Sequence, residues 1–308
     1  MALKSLKQML WAKPEASYGV DPLPTGALNA MLVSNVKINP LNATEIERKV
    51  LTPNFSNFGK IIADIHATID FDVEFSPSGA LGVAPAYGVL FKGCARSETI
   101  VAATSVTYAP IDNLEQSLTF YLNIDGKQRI VRGAKGNVKA KLSPKGDPML
   151  SFSFIGLYGA ATDVPIGIAT TTNWRAPIGV SPLTTSALIH GFAANIADFS
   201  FDLGNKMVYR PLINSETVQF TDRATTGSIT LEDTSVAAKD WDSIVRFATL
   251  GSFALMHGTV AGSKIQINAP AVQLHGMSSS EADNVEMLQF GMAMQSVAGN
   301  DELTIVYL

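Results

Sequence analysis

Asp64-Ile-His-Ala-Thr-Ile-Asp-Phe-Asp-Val-Glu-Phe75 alternates without a slip: Ile65, Ala67, Ile69, Phe71, Val73 and Phe75 are apolar, with His66, Thr68, Asp70, Asp72 and Glu74 between them. Successive side chains of an extended chain point to opposite faces, so a period of two over this length predicts a long, half-buried strand. Its polar face ends in three carboxylates, Asp70, Asp72 and Glu74, about 7 Å apart along one side. That spacing suits a uniformly negative surface better than a general acid and base pair, whose assignment depends on what faces it.

Working outward, strand-like runs cover Ile100 to Tyr108, Ser117 to Ile124, Ile130-Val131 continuing into Val138 to Leu142, and Met149 to Leu157. The later half adds Ile229 to Leu231, Phe253 to Met256, Lys264 to Asn268, Glu286 to Gln295 and Leu303 to Leu308. Asp125-Gly126 is a two-residue turn signal that makes Ser117 to Val131 a hairpin. Two segments read as short helices. Asp240 to Leu250 places Trp241, Ile244, Val245 and Ala248 at i, i+3, i+4 and i+7, with Gly251 as the expected stop. Ala84 to Cys94, interrupted by Pro85 and Gly88, predicts one or two turns. Each helix follows the carboxylate-bearing strand of its half.

That parallel points to a repeat. Gly19-Val-Asp-Pro-Leu-Pro-Thr-Gly-Ala-Leu28 and Gly179-Val-Ser-Pro-Leu-Thr-Thr-Ser-Ala-Leu188 align without a gap at an offset of 160, which also pairs Asn35 with Asn195. Ala67-Thr68 and Val73-Glu74 find looser counterparts in Ala224-Thr225 and Leu231-Glu232. The expected organisation is an N-terminal arm (residues 1–15), a first domain (16–165) and a second (166–308), with a linker near Ala161 to Pro177.

The 308 residues suit one large or two ordinary domains. Only 16% are charged, 46% are hydrophobic and the mean hydropathy is +0.18, which argues against disorder and for a surface partly covered by partners. No apolar run approaches the roughly 18 residues of a membrane helix, and the start lacks a signal peptide's apolar core, so the chain is expected to be soluble, not exported and without a membrane. A lone Cys94, at the end of an apolar stretch, excludes an intramolecular disulfide or a thiolate cluster and reads as a buried structural thiol.

Net charge is −4, divided as +2 over residues 1–165 and −6 over 166–308. Lys127, Arg129, Arg132, Lys135, Lys139, Lys141 and Lys145 crowd one stretch punctuated by Gly126, Gly133, Gly136 and Gly146. It reads either as a solvated hairpin face or as a basic arm that docks on the acidic face of another copy. No aromatic residues interleave it, which counts against nucleic-acid binding. Most of this cluster is assigned to a hairpin that the second half has shortened or lost.

Reactive constellations are not found. His66, His190, His257 and His275 stand far apart with no i, i+3 or i, i+4 metal spacing, so no metal or cofactor is expected. Gly258-Thr-Val-Ala-Gly262-Ser-Lys264 has the wrong order for a phosphate loop and precedes a strand. No nucleophile elbow or dinucleotide fingerprint occurs. Met287, Met292 and Met294 read as core or interface, and the enzyme reading is set aside.

Several motifs in order carry a resemblance. Ser17-Tyr18-Gly19-Val-Asp21-Pro22-x-Pro24-Thr25-Gly26-Ala27, Glu47-Arg48-Lys49, and Gly79-x-x-Gly82-x-Ala84-Pro85-Ala86 come first. Arg132-Gly133-Ala-Lys-Gly136-Asn-Val-Lys-Ala-Lys-Leu142, Pro148-Met-Leu-Ser-Phe-Ser-Phe-Ile-Gly156-Leu157 and Gly299-Asn300-Asp301-Glu302-Leu303 follow. Nearly the whole chain resembles the major tail tube proteins of long-tailed, non-contractile bacteriophages. The resemblance implies a mainly β fold, here two tandem β-sandwich or β-barrel tube domains, each with a short flanking helix. It implies subunits joined edge to edge into rings of six such domains, stacked into a tube that conducts DNA. Two domains per chain give rings of three copies with pseudo-sixfold symmetry. It also implies residence in the virion tail, assembly in the host cytoplasm, and tape-measure, tail-tip and tail-terminator partners.

On this reading Asp70, Asp72 and Glu74, and more weakly Glu232 and Asp233, line the lumen and repel phosphates, so DNA passes without specific binding. The basic stretch from Lys127 to Lys145 contacts an adjacent ring. Two alternatives stay open: a tube subunit of a contractile or secretion machine, and a soluble β-sandwich binding module with Trp11, Trp174 and Trp241 as ligand platforms.

Overall fold

The computed structural model describes residues 3–113, 115–144 and 146–308. The first half runs β1 (Gln8–Pro14), α1 (Gly26–Asn29), β2 (Ala30–Met31), β3 (Ser34–Glu47), β4 (Lys60–Glu74), α2 (Gly88–Gly93), β5 (Arg96–Val101), β6 (Ser105–Pro110), β7 (Leu118–Ile124), β8 (Lys127–Leu142) and β9 (Met149–Asp163). The second runs β10 (Thr185–Ile189), β11 (Ile196–Asp202), β12 (Asn205–Leu212), β13 (Ser215–Arg223), β14 (Thr226–Glu232), α3 (Trp241–Arg246), β15 (Leu250–His257), β16 (Ile265–Ala282), β17 (Val285–Gln295) and β18 (Thr304–Tyr307).

The frame is a continuous antiparallel sheet of eight strands in the order β3-β4-β9-β8-β11-β14-β17-β16. It crosses from one half to the other where Lys139–Leu142 of β8 pairs with Phe199–Asp202 of β11. Both β8 and β16 carry register shifts, at Arg132/Lys135 and at His275/Ser278. Before these shifts each strand has an additional partner, β7 for β8 and β15 for β16. β7 and β15 belong to an outer layer over the sheet, extended by β1 and β2 beside β7 and by β10 beside β15.

The core fills the space between the layers. Phe71 of β4 stacks on Phe152 and Phe154 of β9, with ring centres 5.7 and 5.9 Å away, and meets Phe120 of β7 edge-on. In the second half Phe199 stacks on Phe253 at 4.5 Å, and Trp241 packs on Phe290. All are buried, as the alternation of β4 requires: Ala67, Ile69, Phe71 and Val73 face inward while Asp70 and Glu74 are exposed.

The halves share a local construction. Asn35 Nδ2 donates to Asp72 Oδ2 (2.7 Å), and Asn195 Nδ2 donates to Glu232 Oε2 (2.6 Å), both partners displaced by 160. Strand then helix recurs as β4-α2 and β14-α3. Asp125 and Gly126 both have positive φ, the conformation a tight two-residue hairpin needs, and join β7 to β8 as the sequence predicts.

Several boundaries differ from expectation. Ile100 to Tyr108 is two strands, β5 and β6, because Ala103 turns the chain at φ +53 without a glycine. Ile130-Val131 does continue into Val138–Leu142 as read, in one strand bent at Gly133. The second helix stops at Arg246, where Phe247 caps it and Ala248 takes φ +50; Gly251 already belongs to β15. The second half has not lost the hairpin of the basic stretch: β15-β16 is its counterpart, with serines in place of lysines. What it lacks is a counterpart of β5-β6. The expected linker begins later, since Ala161–Asp163 still belongs to β9. Its remainder is tied to the first half through Val164 N–H to Gly126 O, Thr170 N–H to Gly26 O and Trp174 Nε1 to Ala30 O.

Candidate functional site

The eight-stranded sheet has one face on the core; the opposite face is covered by β12-β13 at its His66 end and is open from Asp70 to Glu74 and across the β8–β11 seam. Strand alternation puts Lys37, Asp70, Asp72, Glu74, Ser151, Ser153, Asn137, Lys139 and Lys141 on the uncovered face of the first half. Asp198, Ser200, Asp202, Ser228, Thr230, Glu232, Ser278 and Ser280 continue it across the second. Two shallow depressions of about 450 and 380 Å³ lie on it, one over β3, β4, β9 and β8 and the other across the β8–β11 seam. The charged members are six carboxylates and three lysines, so the face is negative and densely hydroxylated.

Asp70, Asp72 and Glu74 share this face as the alternation predicts. Asp72 is not free: besides Asn35 it accepts from Ser151 Oγ at 2.6 Å. Glu232 lies on the same face, whereas Asp233 falls beyond the end of β14, where its Oδ1 accepts from Thr234 N–H. Three members escaped sequence reading: Lys37, Asp198 and Asp202. The last two were visible in Asp198-Phe-Ser-Phe-Asp202, an alternating run of Asp198, Ser200 and Asp202 against Phe199 and Phe201.

The basic stretch does not act as one patch. Lys139 pairs with Asp202 (3.0 Å) and Lys141 with Asp198 (3.2 Å), both across the seam. Burial alone would raise the Asp202 carboxyl, but hydrogen bonds from Asn137 and Gly204 N–H, with Lys139 beside it, hold it below its usual value. Both lysines are well exposed, so each pair is worth at most about 1 kcal/mol and serves register more than stability. Lys135 is buried against Glu115 (2.7 Å), and Arg132 reaches Tyr158 O. Lys127 and Arg129 are half-buried near the β7-β8 turn. Lys145 lies outside the described residues.

At either end of this sheet an edge is open. Among the described residues β3 pairs only with β4, and the 278–282 segment of β16 only with β17. The corresponding segment of β8 is the one that takes β11. An exposed row of unpaired backbone groups is a template for another strand, and such edges are normally blunted or covered.

Reactive chemistry has little to stand on. Among the described residues no three His, Cys, Asp or Glu side chains gather as a metal site. Cys94 is fully buried, which pushes its thiol far up and away from the nucleophilic form. His257 is buried, its Nε2 on Ile178 O (2.9 Å) and its Nδ1 on Thr185 Oγ1 (2.8 Å); burial lowers its pKa. A cleft of about 930 Å³ is lined in part by paired charges, Lys92 with Glu98 and Lys135 with Glu115. Trp241 is core, Trp11 is nearly buried and Trp174 is tied to Ala30, so none stands as a ligand platform. Among the described residues no helix is long and apolar enough to cross a membrane.

A comparison with curated proteins returned no match. The family model described as phage tail tube protein matches residues 6–300, nearly the whole chain. A mainly β fold agrees with a structural role in a virion tail. The chain belongs to the phage tail tube protein family.

Proposed function

We propose that three copies close into a ring through their open sheet edges, and that stacked rings form a non-contractile phage tail tube through which DNA passes. The observation that carries this reading is the β8–β11 seam. It joins two similar half-chains edge to edge, and each chain leaves the two unsatisfied halves of such a seam, β16 at 278–282 and β3, at its ends. The half-chains are read as two tandem tube domains, 16–165 and 166–308, that arose by duplication.

Eight strands per copy give a barrel of about 24, which at about 4.8 Å per strand and a tilt near 40° has a backbone diameter of about 48 Å. Side chains leave a bore wide enough for a DNA duplex. Closure turns the core-covered face outward and the polar face inward, so Asp70, Asp72, Glu74 and Glu232 line the bore. A negative, hydroxyl-rich wall makes no counterion-releasing contact with phosphates. Of the basic stretch, Lys127 and Arg129 remain as contacts for an adjacent ring, with the tape-measure, tail-tip and tail-terminator proteins as further partners.

Electron microscopy of assembled tubes, with the rotational symmetry of end views determined, tests this. Threefold rings with six similar lobes are expected; true sixfold rings, or a chain that stays monomeric even when supplied with tail tips, would refute it.

A further inference from the structure

Beyond the seam, the second half sends the hairpin β12-β13 over the first. The chain bends at Gly204 (φ +66), leaves the eight-stranded sheet and forms a separate two-stranded one. Asn205 Nδ2 donates to Cys94 O at the end of α2 (2.7 Å) and to Gly136 O (3.2 Å). Tyr209 lays its ring on His66 at 4.7 Å and donates to Ile65 O, and Val218, fully buried, donates its N–H to Tyr18 Oη. The hairpin is a clamp across the joint.

The first half has the same device with nothing under it. At the offset of 160, Ala224 corresponds to Asp64, which turns β4 at φ +55, and β3 shifts register twice between Asn39 and Thr44. Past that bend, residues 44–47 and 60–63 pair, among the described residues, only with each other, and Ile46, Ile61 and Ile62 are each about half exposed, at 49, 52 and 52%. The landing place is open in turn. Cys94, the residue capping α2, is fully buried, whereas Phe247, which caps α3, is 69% exposed and Leu250 beside it 51%.

We propose that the bent end of β3-β4 in one copy clamps the α3 end of the second half in the next copy of this chain, as β12-β13 clamps the first half within one chain. The partner is a second copy because the donor extension and the acceptor surface are each other's counterparts of an existing intrachain contact. The inference rests on the ring reading: the open seam brings these two surfaces together only when β3 of one copy meets β16 of another.

The test is a chain carrying both Ile61→Cys and Phe247→Cys, assembled into tubes and treated with a short bismaleimide; Cys94 is buried and stays in place. The expected product is a covalent species that stops at three chains on a denaturing gel, with either single variant remaining monomeric. Normal tubes without cross-linking, or ladders running past three chains, overturn the clamp and leave the tube reading intact. Failure of the unaltered chain to form tubes in parallel overturns the tube reading itself. Should the double variant not assemble, amide exchange on the unaltered protein decides. Residues 60–63 and 247–250 are expected to slow at least tenfold in tubes relative to free subunits, and unchanged exchange in either segment refutes the clamp.

Discussion

Glu302 to Gln is the substitution that most directly tests whether the two half-chains are held as one unit. Glu302 is 7% exposed and pairs with Arg223 Nε; Arg223 also donates to Ile111 O (3.1 Å), Asp112 Oδ1 (3.1 Å) and Asn300 Oδ1 (2.9 Å). It therefore ties the end of the β12-β13 hairpin to a first-half loop and to the C-terminal turn. Arg96 lies alongside, 2% exposed, with Nη1 on Leu303 O and its other nitrogens unpartnered. Burial draws its pKa down to about 9, Glu302 opposes that, and Arg223 reinforces it.

Removing the carboxylate takes away the negative charge shared by Arg223 and the fully buried Arg96, although Arg223 keeps its pair with Asp112, and breaking a buried pair costs about 3–5 kcal/mol. With an unfolding entropy of about 2.1 cal/mol/K per residue over this length, the midpoint should fall by about 5–8 °C. The double variant Glu302→Gln with Arg96→Met removes the buried guanidinium left facing the lost charge, keeps the bonds of Arg223, and should recover at least half of that loss. Thermal unfolding of the unassembled subunit by circular dichroism reads both. A single variant within 1 °C of the parent, or a double variant as unstable as the summed singles, would refute the coupling.

Gly204→Ala should be severely destabilising, because φ is +66 and a Cβ there would lie 1.9 Å from Ala224 O; the β12-β13 clamp should lose amide protection before the rest of the chain, and uniform protection would contradict this. His257 has a lowered pKa, so its contribution is complete above about pH 6.5 and is lost as pH falls toward the folded value. Stability measured from pH 7 to pH 5 should therefore decline less steeply in His257→Gln than in the parent, and parallel curves would exclude it. Asp70→Lys with Glu74→Lys leaves the bonds of Asp72 in place, so tubes should form while genome passage slows, an effect that added salt relieves; normal infectivity at low salt would sink the lumen assignment.

Much of the architecture was legible because burial on one face imposes a period of two. Asp64 to Phe75 displayed it openly, and β4, β9 and β17 lie where their alternation puts them. The offset of 160 was visible in turn residues, and its structural counterpart is a hydrogen bond, Asn35 to Asp72 and Asn195 to Glu232. The β12-β13 hairpin went unread because its strands alternate weakly: Met207, Tyr209, Val218 and Phe220 cover another part of the chain rather than a core of their own. The turn at Ala103 left no glycine or proline to mark it. For the uncovered face, sequence supplied the carboxylates of β4 and Glu232 of β14. It did not reveal that Lys139 and Lys141 share that face, since this depends on which strand lies beside β8.

The β8–β11 seam also bears on assembly kinetics. In a three-copy ring, three of the six seams are made when each chain folds, at an effective concentration set by a tether rather than by the pool of free subunits. Only three have to be found by collision. Ring closure should then vary with the cube of subunit concentration instead of the sixth power, so a tail can keep growing as its pool of building blocks runs low.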